Sequence, residues 1–141
     1  MKNRIVGMLI GIILLISVTG CVKGNVKTVT CVSGKVGKKP EVVYHEIYTI
    51  ENNEIVKVEK YNIRTFDNEY LKLVSLDDVM EVYKKEKDTK VEKIGDNQLK
   101  VIDTNPTNVF KDSKSDDIAK FIIDSMQKKD FSPYNYTCTS E

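Results

Sequence analysis

Apolar and polar residues along this chain follow two periods, two and three-to-four, and the switches between them mark out the elements. A β-branched run over residues 26–33, closed by Gly34 and Gly37, predicts a first strand. Residues 42–50 alternate with period two, Glu51-Asn52-Asn53-Glu54 carries turn chemistry, and residues 55–66 resume the strand pattern, which predicts a hairpin. In its second arm Val56 and Val58 share one parity, whereas Tyr61 and Ile63 share the other. A β-bulge near Glu59 or Lys60 would bring both pairs onto one face.

Leu76, Val79, Met80 and Tyr83 fall at helical spacing, with Ser75 as N-cap, Asp77 and Asp78 in the first turn and Lys84, Lys85 and Lys87 at the far end. The start of this helix could lie earlier, near Asn68. Residues 91–94 and 99–104 flank Gly95-Asp96-Asn97 and predict a second hairpin, with Leu99 and Val101 on one face. Ser115 opens a second helix whose expected buried stripe is Ile118, Phe121, Ile122 and Met126. After Pro133, residues 134–137 can extend again and deliver Cys138 to the sheet. The order lacks the strand-helix-strand alternation of a parallel sheet, so residues 26–141 are expected to form one α+β domain, a twisted antiparallel sheet with two helices packed on one face.

The N-terminal segment has a different character. Lys2 and Arg4 precede an apolar run that stops at Ser17, too short for a spanning helix and matching a secretory leader over residues 1–20. The junction Ser17-Val18-Thr19-Gly20-Cys21 resembles the lipobox of bacterial prolipoproteins. The resemblance implies that the Cys21 thiol takes a diacylglycerol, that the Gly20–Cys21 bond is cut, and that residues 21–25 become a lipidated tether. Two acyl chains, palmitate-like in length, would hold the protein stably on the outer face of the cell membrane, since a single chain binds only marginally.

Composition narrows the classes. The formal charge is +1, and −1 once Lys2 and Arg4 are removed with the leader, so nucleic acid is not an expected partner. The three cysteines have no paired spacing of a zinc site. With Cys21 lipidated, Cys31 and Cys138 remain as natural disulfide partners outside the cytosol, tying the two ends of the domain together.

The mature region resembles the YehR-like small lipoproteins, a domain-of-unknown-function group common in Firmicutes. The resemblance is carried by the lipobox at Cys21, the early Thr30-Cys31 strand, the tyrosine- and isoleucine-rich hairpin between Tyr44 and Ile63, and the late Thr137-Cys138. It implies a location and an architecture but no activity. A Lys-heavy composition with Arg4 and Arg64 as its only arginines fits an AT-rich, Gram-positive host.

Candidate chemistry is sparse. The sole histidine, His45, lies between Val43 and Ile47 on its strand face, the setting of a packed histidine. No nucleophile elbow, metalloprotease pair, P-loop or dinucleotide motif occurs, so no catalytic residues, metal or cofactor are expected. Asp77, Asp78, Glu81, Asp116 and Asp117 lie where helix starts favour acids. Tyr44, Tyr48 and Tyr61, with Phe66, are a candidate binding face for a peptide, a wall polymer or another envelope protein, although the same aromatics could form the core beneath the helices. Lys35, Lys38 and Lys39 form a basic loop expected near the tether. The expected role is a binding or interaction module of the cell envelope; the alternative is a structural or stress-related envelope protein without a discrete ligand.

Overall fold

The structure is a computed structural model that describes residues 24–35, 41–128 and 135–141. The leader, Cys21, Lys38, Lys39 and Pro133 lie outside the described residues, as does Lys129. Strands β1 (Val26–Lys35), β2 (Glu41–Glu51), β3 (Glu54–Thr65), β4 (Thr89–Gly95), β5 (Gln98–Asp103) and β6 (Thr137–Ser140) build one open antiparallel sheet in the order β4-β5-β3-β2-β1-β6. Helices α1 (Asn68–Leu71) and α2 (Leu76–Lys84) intervene between β3 and β4, and α3 (Ile118–Met126) between β5 and β6. The expected α+β architecture is the one observed.

Both main helices cover the same sheet face. Helix α3 packs Ile118, Ala119, Ile122 and Met126 onto Val29, Cys31, Tyr48 and Ile50, while α2 packs Leu76 and Val79 onto Phe66 and Leu99. Strand registers place these sheet residues on one side: Val29 pairs with Tyr48, Tyr48 with Val58, and Leu99 with Arg64. The result is two apolar cores on one face, one toward β1 and β6 and the other toward β4 and β5. Phe110, from the connection after β5, fills the first core and meets the Tyr48 ring edge-on, with centroids 5.5 Å apart. The unbroken connection pattern between β5 and α3 gave no period from which this plug could be read.

The bulge of the first hairpin is real but lies elsewhere than expected. Thr49 pairs with Lys57 and Ile50 with Ile55, so Val56 is the extra residue, and its side chain is 53% exposed. Ile55 and Val58 thereby both reach the core, while Tyr61 and Ile63 remain on the opposite face. The physical reason is local: the bulge next to the turn absorbs the parity change within two residues, and the rest of β3 pairs regularly.

Asn52 and Asn53 have φ of 51° and 64°, the left-handed pair of a tight hairpin turn that asparagine tolerates well. Asn53 does more than turn the chain. Its Nδ2 donates to the Ser115 carbonyl at 2.6 Å and its Oδ1 accepts from the Ile118 N–H at 2.8 Å, fastening the hairpin to the start of α3. The N-cap of α3 is Asp117, which accepts from the Lys120 N–H, and not Ser115, whose hydroxyl instead bonds the backbone of Asp117. Phe121 is 38% exposed and leans edge-on against Phe110, so Ala119 takes the buried place expected for it.

Asn53→Gly preserves the turn and deletes the fastening, and should lower stability by about 1–2 kcal/mol in urea unfolding, whereas Asn52→Gly should stay within about 0.5 kcal/mol of the parent. Equal effects would mean that Asn53 acts through the turn alone.

Helix α2 begins as expected. Ser75 Oγ accepts from the Asp78 N–H at 3.1 Å, and Asp77 and Asp78 occupy the first turn. The residues near Asn68 form the separate short helix α1, capped by Asp67. The terminal strand begins at Thr137, and Cys138 pairs with Cys31 across β6 and β1, where the two form a disulfide.

Candidate functional site

Between the two cores, the helix-covered face of the sheet carries polar side chains. Tyr44 and Glu46 on β2 and Lys60, Asn62 and Arg64 on β3 share this face, because register pairs Tyr44 with Asn62 and Glu46 with Lys60. Glu46 anchors the row. Its Oε2 accepts from Tyr48 Oη at 2.6 Å and pairs with Lys60 Nζ at 3.1 Å, and its Oε1 accepts from Tyr136 Oη at 3.1 Å. The Glu46 and Lys60 side chains are only 17% and 21% exposed, so the three partners satisfy a carboxylate that is largely shielded from water. Burial and then the Glu46 carboxylate push the Tyr48 hydroxyl far above its ordinary pKa, keeping it a donor.

Arg64 stands at the end of the row. Its Nη1 donates to Tyr83 Oη at 2.7 Å, its Nε donates to Asn62 Oδ1 at 3.0 Å, and its Cζ lies 4.6 Å from the centre of the Tyr83 ring. Among the described residues no carboxylate forms an ion pair with it, so neutral groups alone orient the guanidinium. On one side of Arg64 lies a polar cleft of about 480 Å³ bordered by Glu46, Lys60, Asn62 and Asp103. On the other lies a groove of about 600 Å³ between α1 and α2, floored by Phe66 and Val79 and walled by Tyr70, Val74 and Val82. Large apolar side chains are left in solvent here: Val82 and Tyr70 on the groove walls are 62% and 44% exposed, and Leu73, in the connection between the two helices, is 84% exposed.

The three tyrosines singled out from the sequence do not form one surface. Tyr48 is fully buried in the core. Tyr44 is on the same face and borders the polar cleft. Tyr61 is on the opposite face, where its ring stacks on His45 with centroids 4.5 Å apart and Lys100 Nζ lies 4.2 Å from its centre. A common binding face of Tyr44, Tyr48 and Tyr61 is therefore corrected: the bulge at Val56 instead of Lys60 separates Tyr61 from the other two. Of the expected basic loop, only Lys35 is among the described residues. Lys35 ends β1 opposite Val42, at the far end of the strand from Val26 and the tether.

His45 makes no hydrogen bond to an acid among the described residues. Its ring is held by the Tyr61 stack, and burial together with the neighbouring Lys100 charge lowers its pKa below the ordinary 6.5. The unfolded chain thus takes up this proton more readily than the folded one. Stability should rise with pH between the lowered folded value and 6.5, and fall as acid is added across that window. A proton NMR titration should place the His45 midpoint below 6.5, and Lys100→Met should move it upward. A midpoint at or above 6.5 would contradict this arrangement.

The acids weighed as metal ligands have local partners: Asp77 pairs with Lys93 at 3.4 Å, Asp78 accepts from Ser75, and Glu81 pairs with Lys84 at 2.6 Å. Among the described residues no three histidine, cysteine, aspartate or glutamate side chains converge as a metal site. The α1–α2 groove and Arg64 were missed by sequence reasoning. One signal was present, since Arg64 is the only arginine after the leader in a Lys-rich chain. Comparison of the chain with protein-family models, curated proteins and solved structures finds no match.

Proposed function

We propose that this chain is a lipid-anchored module of the extracytoplasmic cell surface that holds a partner in the groove between α1 and α2. The observation that carries the reading is the placement of the groove. Gly24 and Asn25 lead into β1 at the Val26 end of the sheet, whereas Arg64 pairs with Val42, and Val42 with Lys35, at the other end. A strand advances about 3.3 Å per residue, so roughly 30 Å of sheet separates the tether row from the groove. A domain acylated at Cys21 would then present the exposed Leu73, Tyr70 and Val82 away from the bilayer.

Two further features support the address. The Cys31–Cys138 disulfide fits a compartment that oxidises thiols. The leader ends in small residues before Cys21, the arrangement a lipoprotein peptidase requires. Two acyl chains at Cys21 suffice for anchoring, so the exposed apolar residues of the groove are free for a partner. Metabolic labelling with an alkyne-tagged palmitate tests the anchor. The wild-type chain should be labelled and membrane-bound, and Cys21→Ser should lose the label completely. Continued labelling of the Cys21→Ser protein would refute the reading.

A further inference from the structure

We infer that the partner held in the α1–α2 groove is a basic amphipathic peptide segment, with apolar side chains at helical spacing and lysine or arginine along its flanks. This inference rests on the reading of the groove as a docking surface and adds the chemistry of its occupant. The groove has the size of a ligand site, at about 600 Å³, with Phe66 and Val79 as its floor. Val82 and Tyr70 stand in solvent at 62% and 44% exposure, and nothing within the described residues covers them. A row of apolar side chains three and four residues apart fills such a trough between helices.

Charge selects among such segments. Asp78 and Glu86 stand on the groove against a single cation, Arg64, and no lysine among the described residues lines it. In a chain with 22 basic residues, that exclusion makes the rim locally acidic although the whole molecule is nearly neutral. Asp78 and Val82 lie one turn apart on the groove-facing side of α2, and Glu86 follows just past its C-cap, so an apolar contact lies between two acids along the groove. Arg64 does not reverse the sign. Its guanidinium is fixed against the Tyr83 ring and bonded to Tyr83 and Asn62 at the inner end of the groove. There it can meet a peptide carbonyl, while the rim acids meet the partner's cations.

The test uses the full acylated chain in nanodiscs of zwitterionic lipid, with empty discs as the blank for membrane partition. Fluorescein-labelled Leu/Lys, Leu/Gln and Leu/Glu amphipathic peptides of equal length are the probes. The Leu/Lys peptide should bind in the range of about 1–50 µM and lose at least about five-fold in affinity between 50 and 300 mM salt. The double variant Val82→Lys with Glu86→Lys changes two exposed side chains, should melt like the parent, and should weaken Leu/Lys binding by about ten-fold or more. Equal affinity for the Leu/Lys and Leu/Gln peptides, with loss in the double variant, would overturn the basic partner while leaving the groove as a docking surface. Binding that the double variant does not alter, or no binding of any peptide, would overturn the groove as well.

Discussion

Replacing Cys31 and Cys138 together with alanine is expected to lower the unfolding free energy by about 4–5 kcal/mol. The bridge spans a sequence separation of 107, and closing so long a loop removes that much entropy from the unfolded chain in the loop-closure account. Its structural consequence is concentrated at the sheet edge. Strand β6 has four residues, pairs only with β1, and adds the mutual backbone bonds of Thr28 and Glu141 at 2.8 and 3.0 Å. Reduction or substitution should therefore release β6 first, with loss of hydrogen-exchange protection there before the β2–β3 hairpin. Differential scanning calorimetry with and without reductant reads the effect, expected as a fall in Tm of about 15 °C. A change below about 1 kcal/mol would show that the bridge does not restrain the unfolded chain.

A second large effect separates the two faces of the sheet. Tyr48→Ala should destabilise by about 3–5 kcal/mol, because it empties a fully buried aromatic site beneath α3 and strands Glu46 with fewer partners. Tyr48→Phe isolates the hydroxyl and should cost about 1.5–3 kcal/mol, the range for a bond to a charged acceptor. Tyr61→Ala removes the His45 stack and the Lys100 contact from a half-buried position, and should cost about 1 kcal/mol. Urea denaturation of the three variants checks the order. Similar losses for Tyr48→Ala and Tyr61→Ala would contradict the assignment of these tyrosines to opposite faces.

The polar row between the cores is an unusual use of a covered sheet face. Glu46, Lys60, Asn62 and Arg64 occupy positions that would otherwise join the two apolar clusters into one. Burying such groups costs stability unless each finds a partner, and the Glu46 network and the Arg64–Tyr83 contact supply those partners. The division also leaves α2 with a smaller core than α3, which suits an element that borders an open groove.

Local pattern was enough for the elements themselves. The stripe of Leu76, Val79, Met80 and Tyr83, the Ser75 cap, the Asn52-Asn53 turn and the hairpin around Asp96 could all be read from spacing and side-chain chemistry, since each depends on neighbours a few residues away. The pairing of Cys31 with Cys138 was also accessible, because only two thiols remained to pair in the expected oxidising setting. Which side of β3 faced the helices was not. A single extra residue inverts every later side chain, and only the register against β2 located that residue at Val56. From this one placement follow the position of Tyr61 on the far face and the arrival of Lys60, Asn62 and Arg64 on the helix-covered face, beside the polar cleft. The insertion of Phe110 and the Asn53 fastening were likewise decided by packing, for they join segments distant in sequence that no local period connects.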